Sequence, residues 1–136
     1  MPLVREHRHR LRVLYGDTDT MGVVYYANYL RFFEAGRNEL LRSAGVEYRA
    51  FEGTGLMLPV TDARARYHQP ARYDDQLDVV TCIEKVRMGS LQIGYRVERV
   101  EDGVLLTTGS TTHACVDREG RVRRLPAELR AALEAA

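Results

Sequence analysis

From Gly16 to Tyr29 the chain reads GDTDTMGVVYYANY, which sets two carboxylates, Asp17 and Asp19, two residues apart among threonines, glycines and tyrosines. Oxygen donors at alternate positions ahead of a glycine invite comparison with a calcium loop. Such a loop needs a further oxygen at its fifth place and a bidentate Glu at its twelfth. Met21 and Asn28 occupy those places, so cation binding is set aside and no metal is expected. A carboxylate can instead act as a nucleophile or general base. In an extended loop the two side chains point to the same side. One of them can support the start of a following helix, whose N–H groups and dipole favour negative charge, and the other is left for a reaction. Either could equally be a turn residue bonded to its own backbone.

Other reactive arrangements are poorly supported. No serine sits in a G-x-S-x-G elbow. His7, His9, His68 and His113 are scattered, and His68 is the best placed for chemistry because it lies by a turn. Cys82 and Cys115 fall inside apolar strand-like runs, where a small buried thiol is expected and no disulfide is required. Cations that could meet a phosphorylated ligand are Arg64, Arg66, Arg72, Lys85 and Arg87, near strand ends. No phosphate-binding glycine motif accompanies them, and a solvated surface role is the simpler reading for each.

The elements around the loop are legible from periodicity. Leu11, Val13 and Tyr15 alternate with neighbours in a first strand over residues 10–15. Residues 28–44 carry Leu30, Phe33, Leu40, Leu41 and Ala44 at three- to four-residue intervals, which predicts a long helix with Asn28 as its cap and Gly45 as its terminator. Gly36 inside that helix costs about 1 kcal/mol relative to Ala, so a strand is expected to pass close by. A short helical stretch over residues 46–51 and the breaker Glu-Gly-Thr-Gly follow. Strands are then predicted over residues 58–68, 76–87, 91–100 and 104–116, with a tight hairpin at Glu101-Asp102-Gly103 and a closing helix after Pro126. The order is that of an α+β domain, one curved antiparallel sheet around one long central helix. An exposed edge strand predicts side-by-side pairing with a second copy.

Length and composition narrow the rest. A chain of 136 residues suits one domain spanning residues 1–136. A net charge of +1 provides no global field for a polyanion, so no nucleic acid is expected and any anionic ligand must be met locally. The N-terminal MPLVREHRHR is basic, yet no apolar run of signal-peptide or membrane-spanning length follows. A cytoplasmic protein without stable membrane insertion is expected.

The run YGDTDTMGVVYYANYLRFFEAGRNELLR resembles the signature region of the 4-hydroxybenzoyl-CoA thioesterase family, which includes acyl-CoA thioesterases of the bacterial Tol-Pal branch. YHQPARYDDQLDV and VRMGSLQIGYRV resemble two later segments of that family, and the likeness covers nearly the whole chain. The resemblance implies the hotdog fold, hydrolysis of acyl-CoA to a carboxylic acid and CoA, no cofactor, and a homodimer or homotetramer with sites between protomers. It selects Asp19 as the catalytic carboxylate, the backbone N–H of Tyr26 as oxyanion donor, and Tyr15 as a further active-site aromatic. Tyr26 stands where some members carry His, a change that leaves a backbone donor intact.

Thioesters are reactive acyl donors, so one carboxylate suffices without a Ser-His-Asp relay. An ordinary Asp titrates near ~3.9 and is a weak base at neutral pH, so polarising the carbonyl must supply much of the acceleration. Tyr25, Phe33, Met57 and Leu58 are the expected walls of an acyl pocket, aliphatic or aromatic, with Arg72, Lys85 and Arg87 toward CoA. Glu34 is a rival acid, since another hotdog lineage carries its acid on the central helix. Two alternatives stay open: a hotdog dehydratase, which would need a His paired with the helix acid, and a non-catalytic acyl-CoA or acyl-carrier binding module.

Overall fold

A computed structural model describes residues 5–136; the first four residues of the basic N-terminal run lie outside the described residues. The elements in chain order are β1 (His7–Arg12), α1 (Asn28–Ser43), α2 (Tyr48–Glu52), β2 (Val60–Tyr67), β3 (Gln76–Val86), β4 (Ser90–Arg99), β5 (Leu105–Ala114) and α3 (Ala127–Ala135). The five strands form one sheet in the order β1-β3-β4-β5-β2, and every neighbouring pair is antiparallel. With α1 laid along its inner face this is the hotdog arrangement. No helix among the described residues is long and apolar enough to cross a membrane.

Alternation dictates which side chains meet the helix. Leu77, Val79 and Thr81 of β3 and Leu91, Ile93, Tyr95 and Val97 of β4 are all buried, one face per strand. From α1 come Tyr29, Phe32, Phe33, Gly36 and Leu40. Gly36 is the point of closest approach: a Cβ there would lie 2.6 Å from Val79 Cγ1 and 2.9 Å from Thr81 Cγ2. The close strand predicted from Gly36 is therefore β3. Gly45 ends the helix at φ +82°, in the left-handed region that glycine enters without a steric penalty.

Two expectations need correction. The first strand is His7–Arg12, not residues 10–15, because its partners on β3 run from Thr81 back to Gln76. Beyond Arg12 the chain turns off the sheet into a single 3-10 turn at Tyr15–Asp17. Asn28 is not the helix cap either. Ala27 occupies that place with no side-chain bond, and the Asn28 amide donates to the Asp17 carbonyl at 2.8 Å. Among the thiols, Cys115 is buried and Cys82 half-buried, both free.

β2 is an edge strand whose residues are exposed on both faces except Ala65, which is half-buried. Its inner neighbour β5 approaches so closely that a Cβ on Gly109 would meet the Arg64 carbonyl at 2.4 Å and the Phe33 ring at 2.6 Å.

Candidate active site

The segment between β1 and α1 is stitched at both ends. Val24 is buried and its N–H donates to the carbonyl of buried Ala71 at 2.9 Å. The Asp17 carbonyl accepts the Tyr25 N–H at 2.9 Å as well as the Asn28 amide, which holds the loop against the start of α1. Between these anchors a tight turn forms from Asp19 to Val23. The Asp19 N–H donates to the Val23 carbonyl at 2.9 Å, and Gly22 takes φ +79°.

The two carboxylates have different surroundings. Asp17 is buried; one oxygen accepts the Leu14 N–H at 2.8 Å and the other is paired with the Arg31 guanidinium. Asp19 is half-buried, and its Oδ1 accepts the Met21 N–H at 2.9 Å. Its second oxygen accepts no hydrogen bond among the described residues. One acid is thus engaged in structure while the other keeps an open lone-pair edge.

At the helix start, the N–H groups of Asn28, Tyr29 and Leu30 donate to the Tyr25, Tyr26 and Ala27 carbonyls. Those of Tyr26 and Ala27 find no acceptor among the described residues. Unpaired N–H groups at a helix start are donors for an oxyanion. The Tyr26 ring is exposed, 4.7 Å from Tyr25 and 6.3 Å from Tyr67 between centroids, and the Tyr67 hydroxyl donates to the Tyr26 carbonyl at 3.0 Å. A groove of about 240 Å³ opens here, walled by Tyr26, Tyr29, Tyr67, His68 and Pro70. His68 belongs to its wall, with Nε2 3.0 Å from Thr108 Oγ1. Burial pushes the Tyr29 and Tyr67 phenols up from their ordinary values, so both stay protonated at neutral pH.

The remaining predicted residues divide. Tyr15 lies in the 3-10 turn, 77% exposed, its ring edge-on to Tyr73 at 5.6 Å. Arg72 is beside the loop, its backbone bridged to Val23. Lys85 and Arg87 are not brought there within one chain. The loop adjoins the start of β3, where the Val13 N–H donates to the Asp75 carbonyl, and nine residues of strand separate that end from Lys85, about 30 Å. Phe33 has no exposed surface and stacks on Tyr95 at 4.3 Å, so it belongs to the core and not to a substrate-facing wall. Met57 is half-buried and bridged to Val116.

Leu58 and Glu34 meet elsewhere, in a cavity of about 320 Å³ between α1, α2 and the β4–β5 sheet that also takes in Arg37, Tyr48 and His113. His113 was legible only as a lone histidine. Its importance comes from a chain of contacts across three elements. The signal available in sequence was the polar run at the inward positions Thr107, Thr111 and His113 of β5, all buried.

Comparison with known proteins shows the family and the fold. A family model described as the thioesterase-like superfamily matches residues 13–133. A Bacillus subtilis protein named as a putative acyl-CoA thioesterase, YneP, is 35% identical over 112 residues, covering 82% of this chain and 80% of that protein. The Escherichia coli acyl-CoA thioester hydrolase YbgC is 36% identical over 110 residues, 81% of each chain. The crystal structure of the hypothetical protein TT1821 from Thermus thermophilus superposes with a TM-score of 0.88 at 35% identity, over 94% of this chain and 97% of that one.

Proposed function

The chain belongs to the thioesterase-like superfamily, and on that premise we propose that it is an acyl-CoA thioesterase, releasing a carboxylic acid and CoA. The observation that carries the reading is the division of labour between neighbouring acids. Asp17 is spent on Leu14 and Arg31, and Asp19 retains an open oxygen in the loop held against the unpaired N–H groups of Tyr26 and Ala27.

Asp19 either attacks the thioester carbonyl or takes the proton of an attacking water. Both routes put negative charge on the carbonyl oxygen, where the Tyr26 N–H can receive it; such a donor is worth about 2.7–4 kcal/mol. The enzyme works as a single domain in a homodimer or homotetramer, with the sheet continued through β2, whose outward row of backbone groups is otherwise an uncovered edge. Free Cys82 and Cys115 suit the reducing cytoplasm.

Asp19→Asn, assayed by release of CoA thiol across acyl- and aroyl-CoA substrates, is expected to lose about 100-fold or more in kcat. Activity near wild type would remove Asp19 from the mechanism. Glu34→Gln in the same assay tests the helix acid, and tight acyl-CoA binding without thiol release by the wild type would favour a binding module instead.

A further inference from the structure

Arg37 and His113, both in the wall of the 320 Å³ cavity, are joined behind it by a hydrogen-bond chain whose direction can be worked out completely. Arg37 Nη1 lies 3.1 Å from Tyr95 Oη, which is 2.6 Å from Thr111 Oγ1; that atom is 2.8 Å from His113 Nε2, and His113 Nδ1 is 3.0 Å from the Leu58 carbonyl. The carbonyl can only accept, so Nδ1 carries the proton. The guanidinium can only donate, so Tyr95 Oη must accept from it. Burial, reinforced by the Arg37 charge, lowers the His113 pKa and keeps the ring neutral, leaving Nε2 as an acceptor. Thr111 therefore donates to His113, and Tyr95 donates to Thr111. Every hydroxyl proton in the chain is committed, and Arg37, a residue of the cavity wall, is pinned by one N–H while its others find no acceptor among the described residues.

The uncommitted groups define a ligand. Arg37 makes no ion pair among the described residues, and the Tyr48 hydroxyl accepts the Leu58 N–H at 3.2 Å, leaving its own proton free. The Glu34 carboxylate at the rim accepts nothing among the described residues. The floor is apolar, formed by Leu41, Leu58, Leu91 and Ile93. Two acids, Glu34 and Glu52, face one cation, so a further negative charge is disfavoured there. A neutral oxygen that both accepts and donates fits all the open groups.

The cavity shares one stripe of α1 with the reactive end of that helix. Leu30, Glu34, Arg37 and Leu41 recur at four, three and four residues along α1, one stripe of the helix, and Leu30 is 43% exposed between the helix start and the cavity. Arg37 is nine residues beyond Asn28, about 14 Å at the helical rise.

We propose that Arg37, with Tyr48 and Glu34, determines acyl specificity by binding a neutral hydroxyl at the far end of a medium-length acyl group laid along this stripe. The inference rests on the thioesterase reading, since it presumes a thioester at the helix start. Hydrolysis of octanoyl- and decanoyl-CoA is compared with their ω-hydroxy and ω-carboxy counterparts, and affinities for matching non-hydrolysable thioethers are measured by calorimetry. The wild type should favour the hydroxylated member by about 10-fold or more in kcat/KM and in Kd, because unpaired donors in the cavity penalise the plain chain. Arg37→Met should bring that ratio close to one, and Tyr48→Phe should lower it by less. Turnover with no hydroxyl preference, a preference for the carboxylate, or a ratio that survives Arg37→Met would each overturn the proposal. A thioether preference lost in Arg37→Met, in a protein that hydrolyses none of the thioesters, would support the cavity site and sink the enzymatic reading.

Discussion

Replacing Gly36 with Ala tests how closely α1 rides on the sheet that positions its N-terminal end. A methyl at residue 36 would stand 2.6 Å from Val79 Cγ1 and 2.9 Å from Thr81 Cγ2. Carbon atoms rest at about 3.5–4.0 Å, so the helix must retreat by roughly 1 Å. The neighbours cannot give way. Val79 and Thr81 have no exposed surface, and both are β-branched side chains with restricted rotamers. Overpacking of this kind costs up to about 3 kcal/mol, while Ala in place of Gly returns about 1 kcal/mol of helix propensity. The net expectation is a loss of about 1–2 kcal/mol, read as a fall in Tm of roughly 3–8 °C for a domain of this size. Thermal unfolding by circular dichroism measures it. Adding Val79→Ala removes the nearest methyl, and the cycle of single and double variants should show a favourable coupling of about 1 kcal/mol. A Tm for Gly36→Ala equal to or above wild type, as propensity alone would give, would refute the close approach.

Further outcomes follow from the titrating and charged groups. His113 is held neutral, its pKa below the ordinary value, so the unfolded chain binds the extra proton first as pH falls. Its contribution is intact above about pH 6.5 and is lost below that, until the folded-state pKa is passed. Urea midpoints at neutral pH and near pH 5 should therefore differ less in His113→Leu than in wild type, and an unchanged difference would show that His113 is not the group responsible. Asp17→Asn leaves the Arg31 cation without its carboxylate and should cost about 1–3 kcal/mol of stability while retaining more CoA release than Asp19→Asn. Equal losses of activity, with no loss of stability in Asp17→Asn, would reverse the roles given to the two acids.

Much of the fold was legible because its signals are local. The strand predicted over residues 91–100 is β4, where Leu91, Ile93, Tyr95 and Val97 alternate on one buried face, and three- to four-residue spacing predicted α1 to within a residue. The glycine inside that helix announced a close strand, and Gly45 its end. β1 was misplaced by three residues because Val13 is as buried as a strand residue while its N–H bonds to the Asp75 carbonyl, off the end of the strand. The edge position of β2 was only half legible: Arg64 and Arg66 read as solvated charges, but nothing in the strand itself says that its other face is uncovered too.

For the candidate site, the sequence by itself determined that two carboxylates stand in one loop before a helix, and family resemblance selected Asp19. Only the tertiary structure set the two acids apart, because the partner that occupies Asp17 is Arg31, a full turn inside the following helix. The same is true of the cavity. Arg37, Tyr95, Thr111 and His113 come from α1, β4 and β5, up to 76 residues apart, and each alone reads as an ordinary surface or strand residue. Periodicity reports which face a side chain takes, whereas hydrogen-bond partners depend on where distant elements cross. That crossing is set by the packing of α1 on β3, at the one position where a glycine lets them meet.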